Sequence, residues 1–292
     1  MSELELLRRI QARAPRPGRG VVLGIGDDCA VFRPAGSRED LLFTTDLLIE
    51  GVHFRRETHP PEAVGWRALA RGLSDIAAMG GRPRFCLVSL ALAPDADRHW
   101  SDAFYRGLLR LARKTGTTLA GGDLARAERV MCDIAVCGSA RRGKWLRRDG
   151  ARAGDAICVS GQLGASACGL RTQRGAAWQR HLWPEPRLEL GRLLRTRLKA
   201  TAAMDLSDGL SLDLHRLCLA SGVAAELDEV PVFPGATLEE ALHGGEDYEL
   251  LFTLRRATRA FPRIGTIVRG KPGAVLLAGR PLPPLGYDHF GG

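Results

Sequence analysis

Carboxylates recur along this 292-residue chain in glycine-rich stretches at the ends of apolar runs. Carboxylate oxygens are the preferred ligands of a hard cation such as magnesium, and glycine lets a backbone approach a ligand closely. Gly24-Ile25-Gly26-Asp27-Asp28 places two adjacent aspartates in such a turn, and Thr44-Thr45-Asp46 ends an apolar run with two hydroxyls and a carboxylate. Asp75 falls beside the apolar stripe of a predicted helix, four residues after Arg71. Gly121-Gly122-Asp123 is expected directly after a strand, and Asp205-Leu206-Ser207-Asp208-Gly209 directly before a helix. There Ser207 is the expected N-cap, and the helix N-terminus would offer amides to a phosphate. Taken singly, each site has a plain reading: an Asp turn, a strand cap, or an Arg71–Asp75 surface pair worth about 0.2–0.5 kcal/mol on an isolated helix. Five together, in a chain without a Walker A sequence, point to a phosphate site neutralised by metal ions. Phosphoryl transfer needs charge neutralisation and in-line alignment, with little covalent work by the protein.

Gly244-Gly245-Glu246-Asp247-Tyr248-Glu249 is a sixth unusual segment, acidic and glycine-led before a strand. His53 and the terminal Tyr287-Asp288-His289-Phe290 add imidazole and aromatic groups that chemistry alone does not single out.

These groups must be positioned by alternating helices and strands. Strand-like runs at Leu41–Asp46 and Phe85–Ala93 flank a helix opened by Pro60-Pro61 and closed by Gly80-Gly81, with Trp66, Leu69, Leu73 and Ile76 on one face. A second helix, about Ala96 to Lys114, carries Trp100, Phe104, Leu108 and Leu111 and stops at Gly116. Strands follow near Thr117–Ala120 and Val130–Gly138. The basic, glycine-containing stretch Arg141–Arg152 is read as a domain boundary, giving units 1–140 and 141–292. Beyond it come a strand at Asp155–Ser160, helices near Ala165–Leu170, Arg187–Arg197 and from Ser207, and closing strands at Glu249–Leu254, Ile264–Val268 and Ala274–Leu277. The predicted class is α/β with mixed sheets in two domains.

Composition narrows the function. The formal charge of +9 comes almost wholly from arginine, lysine occurring only at Lys114, Lys144, Lys199 and Lys271. The arginines run from Arg8 to Arg280 without a basic block or interleaved aromatics, which argues for solvated surface and against nucleic-acid binding. Seven cysteines form no Cys-x-x-Cys pair and read as core residues of a reducing compartment. The longest apolar stretch, Phe85–Ala93, is too short for a bilayer, which needs roughly 20 residues. Glu3 and Glu5 among Leu4, Leu6, Leu7 and Ile10 argue for a short amphipathic helix at Met1–Gln11, not a leader, so a cytoplasmic, membrane-free protein is expected.

In this order the motifs resemble those of the thiamine-monophosphate kinase family, from about Leu4 to Phe290. The likeness rests on Gly-Ile-Gly-Asp-Asp-Cys-Ala at Gly24, Thr-Thr-Asp at Thr44, Gly-Val-His-Phe at Gly51 and Leu-Ser-Asp-Ile-Ala-Ala-Met-Gly at Leu73. It continues through Gly-Gly-Asp at Gly121, Asp-Leu-Ser-Asp-Gly-Leu at Asp205, Gly-Gly-Glu-Asp-Tyr-Glu-Leu at Gly244 and Gly-Tyr-Asp-His-Phe at Gly286. The resemblance implies the aminoimidazole-ribonucleotide-synthetase-like fold, with an N-terminal α/β domain that pairs in a homodimer and a C-terminal α/β domain. It implies transfer of the γ-phosphate of ATP, as co-substrate, onto thiamine monophosphate with several Mg2+ ions. By motif, Asp28, Thr44, Thr45, Asp46, Asp75, Asp123, Asp205 and Asp208 would hold magnesium, with Asp27 a supporting or water-mediated neighbour. Tyr105, Gly122, Asp123, Arg148 and Ser207 would contact ATP; His53, Glu246 and Tyr287 would bind the thiamine phosphate, with Glu246 or Asp247 favouring its positive charge.

Two departures stand out: Leu124 where the family has Thr, and a 254–264 segment too short for its usual helix. Among superfamily rivals, selenophosphate synthetase wants a reactive Cys or selenocysteine in an N-terminal glycine-rich segment, and the hydrogenase-maturation protein a C-terminal Cys. Here the first cysteine is Cys29 and the chain ends Phe290-Gly291-Gly292. A catalytically inactive nucleotide or thiamine-phosphate sensor is the alternative of another class, although a sensor would not need every ligand of a transfer site.

Overall fold

The computed structural model describes residues 3–15, 18–261, 263–287 and 289–290. The first half runs α1 (Glu3–Arg13), β1 (Val21–Leu23), β2 (Ala30–Phe32), β3 (Glu39–Ile49), α2 (Pro61–Ala78), β4 (Arg82–Leu92), α3 (Arg98–Thr115), β5 (Thr118–Arg126) and β6 (Met131–Arg141). Its six strands form one sheet in the order β1-β2-β3-β6-β4-β5. Only β4 and β5 pair in parallel, joined by α3.

The second half runs β7 (Ala156–Val159), α4 (Ala165–Thr172), α5 (Gly175–Leu182), α6 (Leu188–Leu193) with a π-helical turn at Leu194–Leu198, β8 (Ala202–Asp205), α7 (Leu210–Ser221) and β9 (Ala224–Leu227). It closes with α8 (Leu238–His243), β10 (Leu250–Leu254), β11 (Gly265–Val268), β12 (Val275–Leu277) and β13 (Arg280–Pro281). These strands form a second sheet, ordered β13-β12-β9-β11-β7-β10-β8.

Helix α2 is the centre of the molecule. Proline at its N-terminus suits the first turn, where the missing amide is no loss. Its predicted face, Trp66, Leu69, Leu73 and Ile76, is buried, but so are Arg67 and Ser74 on other faces. The helix lies against β3 and β6 of the first sheet, against α3, and against α5, α6 and β8 of the second half. Close approach to α3 depends on two glycines: a Cβ on Gly65 would stand 1.9 Å from the Phe104 carbonyl, and one on Gly107 1.8 Å from the Glu62 carbonyl. The core around α2 therefore runs without a break from Leu42 and Val136 to Ala203, Leu250 and Phe252. A smaller cluster around Leu214, Leu217 and Ile267 fills the space beneath α7.

The first sheet has one covered and one open face. Leu42, Thr44 and Leu48 of β3 point towards α2, whereas Phe43, Leu47 and Leu87 of the opposite face are 39%, 47% and 41% exposed.

Several local expectations change. Gly121-Gly122-Asp123 lies inside β5 and not after it, because the strand continues in register beside β4, with Ser89 opposite Asp123. Ser207 does not cap α7; the cap position is Gly209, and Asp213 reaches back to accept the amides of Asp208 and Gly209, each at 3.1 Å. The helix expected at Arg187–Arg197 is shared between α6 and the π turn, while α5 and the four-residue β8 carry too short a periodicity to be predicted. Residues 255–261 and 263–264 form no helix, in keeping with the shortness of that segment. Met1, Ser2, Asp288, Gly291 and Gly292 lie outside the described residues.

Candidate active site

Three elements distant in sequence bring the acidic motifs together. Asp28 comes from the turn before β2, Asp75 from the last turns of α2, and Asp205 from the end of β8; one carboxylate oxygen of each lies within 4.8 Å of the others. Thr44, on the α2-facing side of β3, donates its hydroxyl to Asp75. Asp27 stands just behind, accepting the amides of Asp28 at 3.0 Å and of Arg148 at 3.3 Å, so it orients its neighbour. Arg148 reaches Asp28 with Nη2 at 2.6 Å.

One guanidinium does not balance these charges. Burial, then the like charges of Asp46, Asp205 and Asp28, pushes the Asp75 carboxyl well above the usual range; burial and Asp28 do the same to Asp205. Asp27 is pushed up to about 7 by burial and Asp28, against the opposing pull of Arg148. Asp28 Oδ2 and Asp46 Oδ2 are buried with no hydrogen-bond partner. An all-oxygen, charge-deficient pocket with orphaned lone pairs fits magnesium.

A cavity of about 750 Å³ opens beside this cluster, lined by Thr45, Asp46, Asp75, Asp205, Ser207 and Asp208 together with His53, Glu246, Tyr248 and Tyr287. Three motif turns are stitched together along its wall: Ser207 O accepts Glu246 N at 2.7 Å, Leu206 O accepts Tyr248 N at 3.0 Å, and Asp208 O accepts Tyr287 N at 3.0 Å. Glu246 and Tyr248 both have left-handed backbones, φ 66° and 50°, the form the turn must take to make two of those bonds. His53 Nδ1 accepts the Ile49 amide at 3.0 Å, which leaves the proton on Nε2, a buried atom without a partner. Burial, then Arg71, holds this imidazole down to about 4, so it is a neutral donor at pH 7.

Arg67 and Arg71 were not anticipated as site residues. Arg67 is fully buried and donates from Nη2 to Glu246 Oε1 at 2.7 Å. Burial alone would raise the Glu246 carboxyl, yet Arg67 above all, with Arg71, brings it down to about 2. Behind them His181 bonds Ser166 Oγ at 2.8 Å and His59 Nε2 at 2.9 Å, tying the two halves of the chain. Arg71 makes no surface pair with Asp75; its Nε stands 3.4 Å from Asp46 Oδ1 and its Nη1 3.7 Å from Glu246 Oε1. The only sequence signal was their place on α2 off its apolar stripe, which reads equally well as solvated surface. Asp247 turns away from the cavity, accepting the amides of Gly164 at 2.6 Å and Ser166 at 2.9 Å at the start of α4. Of the two carboxylates considered for the substrate's positive charge, only Glu246 faces the cavity.

Gly122, Asp123 and Tyr105 are not in this constellation. Asp123 sits on the exposed edge strand β5, three strand spacings from Leu47 of β3, or about 14 Å at the usual inter-strand distance. Tyr105 packs edge-on against Phe104 on α3. Asp208 lines the cavity but is paired with Arg216.

The family model for the AIR synthase related protein, N-terminal domain, matches residues 26–140. The thiamine-monophosphate kinase of Aquifex aeolicus (strain VF5) is 35% identical, covering 91% of this chain and 92% of that protein. That of Escherichia coli (strain K12) is 36% identical, covering 99% and 98%. Among solved structures, AaThiL complexed with AMPPCP and TMP overlays with a TM-score of 0.88 at 34% identity, covering 99% of this chain and 97% of that one. With near-complete coverage at this identity and the same two-sheet architecture, the chain belongs to the thiamine-monophosphate kinase family.

Proposed function

We propose that the chain transfers the γ-phosphate of ATP directly to the phosphate of thiamine monophosphate, giving thiamine diphosphate and ADP. One observation carries this reading: a single cavity joins a cation-hungry carboxylate cluster to a wall bearing His53, Glu246 and Tyr287, in a chain 34% identical to a kinase solved with an ATP analogue and TMP.

Asp28, Asp75 and Asp205, with Thr44, Thr45, Asp46 and Asp208 around them, would hold Mg2+; Asp123 is a further candidate from the sheet edge. When bound, Mg2+ supplies neutralisation of the facing phosphates and a template for in-line displacement. The residues of the chain do the rest. Arg148, anchored by Asp27 and Asp28, and Ser207 stand as nucleotide contacts, with Gly122 and Tyr105 assigned by motif. His53 offers its Nε2 proton to the substrate, Glu246 is held rigidly by Arg67, and Tyr287 presents an aromatic face. An anionic oxygen of the acceptor phosphate attacks the γ-phosphorus as the bond to the β-phosphate bridging oxygen breaks. That acceptor is already ionised, so no general base is required.

The open sheet face supports a homodimer: Phe43, Leu47 and Leu87 would be covered by a second copy, and Asp123 shares that face. We take 1–140 and 141–292 as the two structural units. No helix among the described residues is long and apolar enough to cross a membrane. Seven buried free cysteines support a reducing cytoplasm.

Incubation of the purified chain with MgATP and thiamine monophosphate, followed by chromatographic separation, tests the reading. Thiamine diphosphate and ADP in equal amounts are expected. Tight binding of both substrates with no diphosphate formed would leave a sensor instead.

A further inference from the structure

We infer that Arg71 grips the acceptor phosphate of thiamine monophosphate and is a catalytic residue of this site, an inference that rests on the kinase reading above. Arg71 projects from α2 into the cavity one turn before Asp75, and its side chain is 14% exposed. Among the described residues that line the cavity it is the only one with a permanent positive charge. It also lies between two carboxylates of the lining, 3.4 Å from Asp46 and 3.7 Å from Glu246.

A thiamine phosphate seated with its rings near Tyr287 and His53 and its phosphate towards the carboxylate cluster must carry that phosphate past this guanidinium. Neither of its contacts is close. Arg67 and Arg148 are each locked to a carboxylate, at 2.7 Å and 2.6 Å, and do not line the cavity, whereas Arg71 lines it and is held only at the limit of hydrogen bonding, so its guanidinium is the one able to turn to a ligand there. Its planar fork matches two phosphate oxygens, and charge on those oxygens changes as the acceptor oxygen bonds to the incoming phosphorus. The same guanidinium leans on Asp46, so a cation taken up by that carboxylate leaves Arg71 freer to turn to the phosphate.

The test compares Arg71→Gln and Arg71→Lys with the unaltered chain. Calorimetric titration with thiamine monophosphate and with thiamine, which lacks the phosphate, is run beside steady-state kinetics and thermal melts. For Arg71→Gln, kcat/KM for thiamine monophosphate is expected to fall on the order of 10²–10³-fold. Thiamine affinity and the KM for ATP should stay within about twofold, and Arg71→Lys should regain part of the loss. The inference is overturned if Arg71→Gln keeps thiamine monophosphate affinity and kcat/KM within about threefold. It is equally overturned if thiamine and its phosphate weaken together, or if the only change is tighter Mg2+ binding, as for a mere counter-ion of Asp46. A chain without turnover would count against the kinase reading alone, since the ratio of the two binding constants still reports on Arg71.

Discussion

The carboxylate cluster and the Glu246–Arg67 pair handle buried charge in opposite ways. In the cluster Asp28, Asp75 and Asp205 crowd together with Arg148 as the cation hydrogen-bonded to the group, and burial with mutual repulsion drives Asp75 and Asp205 towards protonation. Glu246, half-buried with its side chain 20% exposed, is matched by Arg67, and its carboxyl falls to about 2. The first region is unfinished without an external cation. The second is assembled in advance, and spends its ion pair on shape.

Removing one partner of the finished pair should have the largest effect. Arg67→Gln strips the half-buried Glu246 of its closest partner and leaves only the longer Arg71 contact at 3.7 Å, so a loss of about 3 kcal/mol in unfolding free energy is expected by denaturant titration. The sign with pH follows. Glu246, lowered from 4.5 to about 2, contributes stability that is complete above its unfolded value and lost as pH falls towards about 2. The variant should therefore lack that contribution and unfold at a higher pH on acidification. Unchanged stability and an unchanged acid limb would dissolve the contrast.

In the unfinished cluster the same kind of change should spare the fold. Asp205→Asn is expected to lower kcat on the order of 10²–10³-fold while the metal-free melting temperature holds or rises. A carboxyl raised by burial and like charge costs stability as pH climbs through its raised value, and the amide removes that cost. A cooperative loss of stability in this variant would mean that the cluster is a structural network.

Magnesium should complete what the chain leaves open. At a hundredfold excess over Kd, about 2.7 kcal/mol of stabilisation is expected in a thermal melt, with a larger increment at pH 8 than at pH 5.5 because protons compete for the raised carboxylates. An increment independent of pH would assign the binding to other groups. The smallest effect is expected for Asp27→Asn, whose one carbonyl oxygen can still accept the Asp28 amide at 3.0 Å while the longer contact from the Arg148 amide, 3.3 Å to the other oxygen, is given up. Its kcat/KM should fall only a few-fold, about 1 kcal/mol, with Asp28→Asn far more severe.

How much of this was legible depends on the kind of signal. Helix α3 was readable because Phe104, Leu108 and Leu111 repeat at helical spacing and Gly116 stops the helix with φ 68°. Strand β8 was not, since four residues hold too little period, although it delivers Asp205. The glycines around Asp123 suggested a turn, yet pairing with β4 drew them into a strand: ladder bonds formed with a distant segment outweigh local preference.

Among site residues, the aspartates and the turns that hold them were visible from the order of the motifs along the chain. Residue type and spacing alone determined that this protein carries carboxylates for a cation, an α/β frame of alternating helices and strands and the motifs of a thiamine-monophosphate kinase. Only the tertiary structure decided which carboxylates meet, that Asp247 caps a helix while Glu246 faces the cavity, and that Arg67 and Arg71 point inward. The reason is physical. A charged residue on a helix reads as solvated until a second layer covers it, and α2 is covered by groups more than a hundred residues away, such as His181 and Glu246.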